Sequence, residues 1–181
     1  MTTINSTITA ALVALLLLLS ASAGATLNNS KLPAIKALQV HNPHLLSSGL
    51  PMPAQFTQLA EAGVTVIINL IPTDNPNALN NEAELAHAAG LKYHQIDVDW
   101  QAPSAANYDA FAALMQQHQD STILVHCQAN FRASAFVYLY QLQQQGVDDL
   151  SILAPWGDLQ QRYQQYPQWR EFIDFIRTRT E

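Results

Sequence analysis

Val125–Ser134 reads VHCQANFRAS, joining the one cysteine of the chain, Cys127, to Arg132 through four intervening residues. His126 stands immediately before the thiol. A thiolate is stabilised, and made available for attack, by turn N–H groups and the positive end of a helix. The same N–H groups, together with the planar fork of an arginine, hold a tetrahedral oxyanion. These residue types at this spacing therefore describe attack by sulfur on an anionic centre. Ser134, in the first turn of the helical pattern that follows, is placed to hydrogen-bond the thiolate or assist its departure. A lone cysteine after a strand is generically a small buried hydrophobe; the order strand, His-Cys, turn, Arg, helix reverses that expectation.

Elements on both sides must hold this loop. Thr122–Val125 is a short apolar strand leading into it, and Arg132–Gln145 is a helix that Gly146 stops. Upstream, Val64–Leu70 (VTVIINL) is a β-branched apolar run, as in a strand covered on both faces. Before it, Pro53 opens a helix carrying Phe56, Leu59 and Ala60, with Gly63 as its stop. Ile71–Asn81 is a run of turn formers that must be a loop bordering the site, and Asn81–Ala89 a helix ending at Gly90. Leu91–Val98 reads as a strand, and a helix capped by Ser104 or Asn107 carries Tyr108, Phe111, Leu114 and Met115. Lys31–Val40 and His44–Leu50 read as short extended pieces. His41 and His44 have metal-ligand spacing only on a helix, which Pro43 forbids. Tyr163, Tyr166, Trp169, Phe172, Ile173 and Ile176 pack a last helix on the core. Strands alternating with helices predict an α/β fold with a central, mainly parallel sheet, whose ligand lies beyond the carboxyl ends of the strands.

With 181 residues, 49% hydrophobic and 12% charged, the chain has material for one core and reads as one domain over residues 26–181. A net charge of −6 argues against a nucleic-acid surface. Between Lys92 and Arg162, Arg132 is the only lysine or arginine, so its placement is specific rather than solubilising. One cysteine excludes an internal disulfide or a Cys-rich zinc site. Residues 1–25 read as a signal peptide: Ala10–Leu19 is apolar throughout, and Ala21-x-Ala23 or Ala23-x-Ala25 offers a cleavage site. The apolar run is shorter than the roughly 20 residues that a bilayer requires. An exported protein is expected, periplasmic in a Gram-negative source, meeting the membrane only through its leader.

The loop resembles the signature of the cysteine-dependent protein tyrosine and dual-specificity phosphatases, in which His-Cys, a turn and Arg-Ser/Thr open a helix. More closely, Leu45–Leu70, Ala89–Trp100 and the loop itself are similar to a bacterial branch of that fold. This branch comprises the phosphatase-like proteins related to the domain found beside β-lactamase-like hydrolases. The resemblance implies a cysteine-phosphatase-like fold and hydrolysis of phosphate monoesters through a thiophosphoryl intermediate. It implies Cys127 as nucleophile, Arg132 as oxyanion ligand and an aspartate as the acid that protonates the leaving group. His126 would orient the loop by hydrogen bonding within it. Gln128, Ala129, Asn130, Phe131 and Ser134 complete the substrate-binding loop, and no metal or cofactor is required.

The resemblance implies that this acid stands on a loop roughly thirty residues before the cysteine, where the chain offers Asp97 and Asp99. Asp99 is the choice, because Asp97 still belongs to the alternation of the strand. Two features depart from the phosphatase pattern. Cys127 and Arg132 enclose four residues rather than five, with no glycine in the turn, and Ile71-Pro72 follows the central Asn-Leu where a polar or basic residue is usual. The shorter count resembles rhodanese-type sulfurtransferases, in which Cys127 would carry a persulfide. A non-catalytic module that binds oxyanions or another protein is the third reading. The substrate expected is a phosphorylated or other oxyanionic compound, and not a nucleic acid.

Overall fold

The structure, a computed structural model, describes residues 26–179; the leader expected over residues 1–25 lies outside them. Five strands form one sheet: β1 (Gln39–Asn42), β2 (Leu45–Ser48), β3 (Val66–Asn69), β4 (Lys92–Gln95) and β5 (Ile123–His126). Their order is β1-β2-β5-β3-β4. Only β1 runs antiparallel, paired with β2 across a register shift between Val40 and Asn42. β2, β5, β3 and β4 are parallel.

Every residue of β2, β3 and β5 is buried, as expected for strands covered on both faces. The period of two sorts their side chains. Leu46, Ile67 and Leu124 point to one face, where they meet Phe56 and Leu59 of α1 (Gln55–Glu61) and Ala86 of α2 (Glu82–Ala88). Leu45, Val66, Ile68, Ile123 and Val125 point to the other, toward α3 (Ala105–Gln117) and α4 (Phe131–Gln145). Continuing this alternation along β5 puts Cys127 on the α3–α4 side, within that core cluster, and His126 on the side of α2. Two neighbouring residues of one motif therefore meet different halves of the protein.

The helices stop and start where the sequence expects. Ser104 and Asn107 together form a capping box at the start of α3, and Gly146 closes α4 at φ 67°. Three expectations need correction. Lys31–Val40 contributes to the sheet only from Gln39; a 3-10 turn at Asn29–Lys31, Pro33 and a left-handed Ala37 keep the rest irregular. β4 ends at Gln95, because its neighbour β3 ends at Asn69, whose carbonyl takes the N–H of Ile96; Asp97 lies outside the strand. The C-terminal region also holds more than one helix. A 3-10 helix (Leu150–Trp156) and α5 (Leu159–Gln165, capped by Asp158) precede the last helix, α6 (Pro167–Thr178).

Candidate active site

The turn after β5 contains no glycine because Asn130 takes the left-handed conformation there, at φ 66°. Asparagine tolerates that region better than most residues. Its side chain then fixes the turn from behind. The amide Nδ2 donates to Ala37 O at 2.7 Å, Ser47 Oγ at 3.0 Å and Gln39 Oε1 at 3.3 Å. The turn is also held from β2. Cys127 N–H donates to Ser48 O, and Ala129 forms an isolated bridge with Gly49. A Cβ on Gly49 would lie 3.0 Å from Lys36 O and 3.1 Å from Gln128 O, so any larger residue would crowd both carbonyls.

α4 begins at Phe131, which puts Arg132 in its first turn. The first N–H groups of a helix have no intrahelical acceptor and form its positive end. The Arg132 side chain is buried, and its Nε has no hydrogen-bond partner among the described residues. The guanidinium carbon sits 5.5 Å from the centre of the Trp100 ring. It lines a cavity of about 800 Å³, together with Pro72, Thr73, Asp74, Asp97, Asp99 and Trp100. An unpaired guanidinium buried at a helix N-terminus is costly unless an anion joins it.

The other expected site residues take up different places. Asp99 stands on the cavity wall, its Oδ1 accepting Gln101 N–H at 2.9 Å and no other donor among the described residues. Asp97 lines the same wall but braces it: its Oδ1 accepts Thr73 N–H, the Thr73 hydroxyl and the Gln95 amide. Cys127 is 1% exposed and does not line the cavity; it packs in the core cluster with Val98, Val125 and Ala133. Gln128 Nε2 donates to Asn77 O, tying the turn to the Ile71–Asn81 loop. Phe131 stacks on Trp156 with ring centres 5.2 Å apart. The Ser134 hydroxyl donates to Phe131 O and accepts Trp156 Nε1–H, so its bonds support the helix start rather than Cys127 Sγ. The side chains of Gln128, Asn130, Phe131 and Ser134 thus build the turn, and the Ser134 N–H is taken by Asn130 O.

His126 corrects a further expectation. Its Nε2 lies 2.6 Å from Oε1 of Glu82 on α2, both side chains being buried, rather than bonding within the loop. Glu82 Oε2 accepts the Asn69 amide at 3.0 Å, and Asn69 Oδ1 accepts Ile71 N–H at 2.8 Å. Tyr93, beside them, has its phenol pushed up to about 12 by burial and by the charge of Glu82, so its hydroxyl stays protonated and donates to Gln95 Oε1. Glu82 and Trp100 are not among the functional residues that the sequence marks. An acidic residue in the first turn of a helix is ordinarily solvated, and nothing in the sequence marks this one as buried. For Trp100, its place directly after Asp99 is the one available signal.

A family model for a polymorphic toxin system DSP-PTPase phosphatase matches residues 47–142, more than half of the chain. The chain belongs to this phosphatase family. A crystal structure of a putative phosphatase (DUF442) from Shewanella putrefaciens CN-32 resembles this chain at 44% identity and a TM-score of 0.75, covering 79% of this chain and 90% of that one. The beta-lactamase hydrolase-like protein of Xylella fastidiosa is 36% identical over 106 residues, 57% of this chain. The match spans 24% of that relative's length, about a quarter. TpbA of P. aeruginosa shares the fold, with a TM-score of 0.60 at 19% identity over 86% of this chain and 96% of its own. The mixed, mostly parallel sheet flanked by helices is thus that of the cysteine phosphatases.

Proposed function

We propose that this protein hydrolyses phosphate monoesters through a covalent intermediate on Cys127. One observation carries the reading: Arg132, buried and unpaired at Nε, faces a cavity from the N-terminus of α4. A phosphoryl group would supply its missing partner and receive the N–H groups of the turn. In this reading the Cys127 side chain, 1% exposed and outside the cavity lining, must come to face the cavity before its thiolate attacks phosphorus, and the bond from phosphorus to the leaving oxygen breaks as Asp99 donates a proton to that oxygen. Water then attacks the thiophosphoryl group, Asp99 takes back a proton, and phosphate leaves as the S–P bond breaks. Asp74, Asp97 and Asp99 make the wall acidic around one cation, which favours a monoester whose leaving group is neutral or positive over a polyanion.

The test offers the purified protein and its Cys127→Ser form an aryl phosphate and, separately, thiosulfate with cyanide. Cysteine-dependent phosphate release is expected. Replacing Arg132 with Lys keeps the charge but loses the bidentate fork, with an expected fall of about 10²-fold in kcat/KM. Thiocyanate formation without phosphate release would make the protein a sulfurtransferase instead. Inactivity in both assays, with inorganic phosphate still bound, would make it a binding module.

A further inference from the structure

Glu82 takes no part in the chemistry above, yet it places a carboxylate, 2% exposed, against His126, Asn69 and Tyr93. We infer that Glu82 is a positioning residue for the nucleophile: its carboxylate, held by Asn69, fixes the His126 imidazole and with it the main chain that carries Cys127. The inference rests on the reading of Cys127 as nucleophile.

The connections are specific. Oε1 lies 2.6 Å from His126 Nε2, and His126 precedes Cys127 directly. Oε2 takes the Asn69 amide, whose other bonds reach the Tyr93 hydroxyl at 3.0 Å and Ile71 N–H at 2.8 Å. Asn69 is in register with both His126 and Gln95. One carboxylate therefore ties together the carboxyl ends of β5, β3 and β4. From those ends leave the Cys127 turn, the cavity loop beginning at Ile71, and the segment with Asp97 and Asp99.

Stability alone does not account for a buried acid here. Replacing a buried ion pair by apolar groups of similar volume is often neutral or stabilising, whereas removing one partner leaves an uncompensated charge. What an apolar residue cannot supply is a carboxylate oxygen 2.6 Å from His126 Nε2, an approach whose angles lie outside hydrogen-bond geometry. The alternation along β5 makes that ring the handle: it points to α2 while Cys127 points to the opposite face.

The experiment compares the full protein with Glu82→Gln, Glu82→Asp and Glu82→Met. It reads kcat and KM on p-nitrophenyl phosphate, the rate at which methyl methanethiosulfonate modifies Cys127, and Tm. Partners that orient a reactive centre are typically worth 10–100-fold, so Glu82→Gln should lower kcat and the Cys127 modification rate at least about 10-fold, with KM changed less than about twofold. Glu82→Asp should recover part of both. If Glu82→Gln fails to fold, Glu82→Met carries the same two readouts. A changed Tm with kcat and Cys127 reactivity intact overturns the inference and makes Glu82 a structural residue. Should the unmodified protein release no phosphate, the hydrolase reading fails on its own. The Cys127 modification rate then decides Glu82 separately, a slower rate supporting the inference and an equal one overturning it.

Discussion

Asp97 and Asp99 share the cavity wall, and their hydrogen bonds separate their roles. Asp97 accepts from the backbone and hydroxyl of Thr73 and from Gln95, which makes it the clasp that holds the Ile71–Asn81 loop against the segment after β4. Asp99 accepts one backbone N–H and is otherwise open to the cavity. Replacing Asp99 by Asn should therefore cost about 10²-fold in kcat for phenyl phosphate, whose leaving oxygen needs a proton, and much less for p-nitrophenyl phosphate. Asp97→Asn should leave the ratio between those substrates unchanged and lower stability by about 1 kcal/mol. Measuring both substrates with both variants checks the assignment; an unchanged ratio in Asp99→Asn would remove it from the role of acid. Arg132 could be picked out in the sequence by its isolation among neutral residues. Strand alternation, the sequence's ground for choosing Asp99 over Asp97, does not hold, because β4 ends at Gln95; what separates the two is Thr73, which reaches Asp97 from the Ile71–Asn81 loop.

The start of α4 is the element on which the site depends, and it is assembled from distant parts of the chain. Asn130 anchors the turn to β1 and β2, and Trp156 clamps it from the C-terminal side through Nε1 to Phe131 O and Ser134 Oγ. Trp100, which carries the Arg132 guanidinium on its ring, is fixed in turn by Trp169 Nε1 donating to its carbonyl at 2.9 Å. The aromatic residues of the C-terminal region thus set the angle at which Arg132 enters the cavity. Asn130→Ala loses the buried amide bonds and forces alanine into the left-handed region. Adding those penalties gives an expected loss of about 2–4 kcal/mol in urea unfolding. A loss within the error of the extrapolation would mean that the turn is not set by Asn130. The sequence supplied the cysteine, the arginine and the helix; it did not reveal that asparagine does the work of the missing glycine, since that depends on Ala37 and Ser47 being within reach.

Across the whole molecule, several histidines are held below their ordinary range. His41 is lowered to about 4, chiefly by burial and against the opposing charge of Asp149. His94 and His118, whose Nε2 atoms meet at 2.8 Å between β4 and the end of α3, are both lowered, first by burial and then by neighbouring positive groups. In the unfolded chain each titrates near 6.5. Below that pH the unfolded state binds more protons than the folded one, so stability falls as pH drops from about 6.5 toward 4. Tm should decline across that window, and His41→Gln should flatten the decline, as read by thermal unfolding at several pH values. An identical slope in the variant would exclude His41 as a contributor.

The sequence by itself determined the alternation of strands and helices, the buried parallel core and the order strand, His-Cys, turn, Arg, helix. Those features follow from local periodicity and from residue chemistry along a few neighbouring positions. Only the tertiary structure decided that His126 meets Glu82, that Asp97 is a clasp while Asp99 is open, and that Cys127 lies in the core rather than on the cavity wall. Each of these depends on groups brought together from separate elements, and burial, charge pairing and hydrogen-bond occupancy are properties of that meeting, with no trace in the order of residues alone.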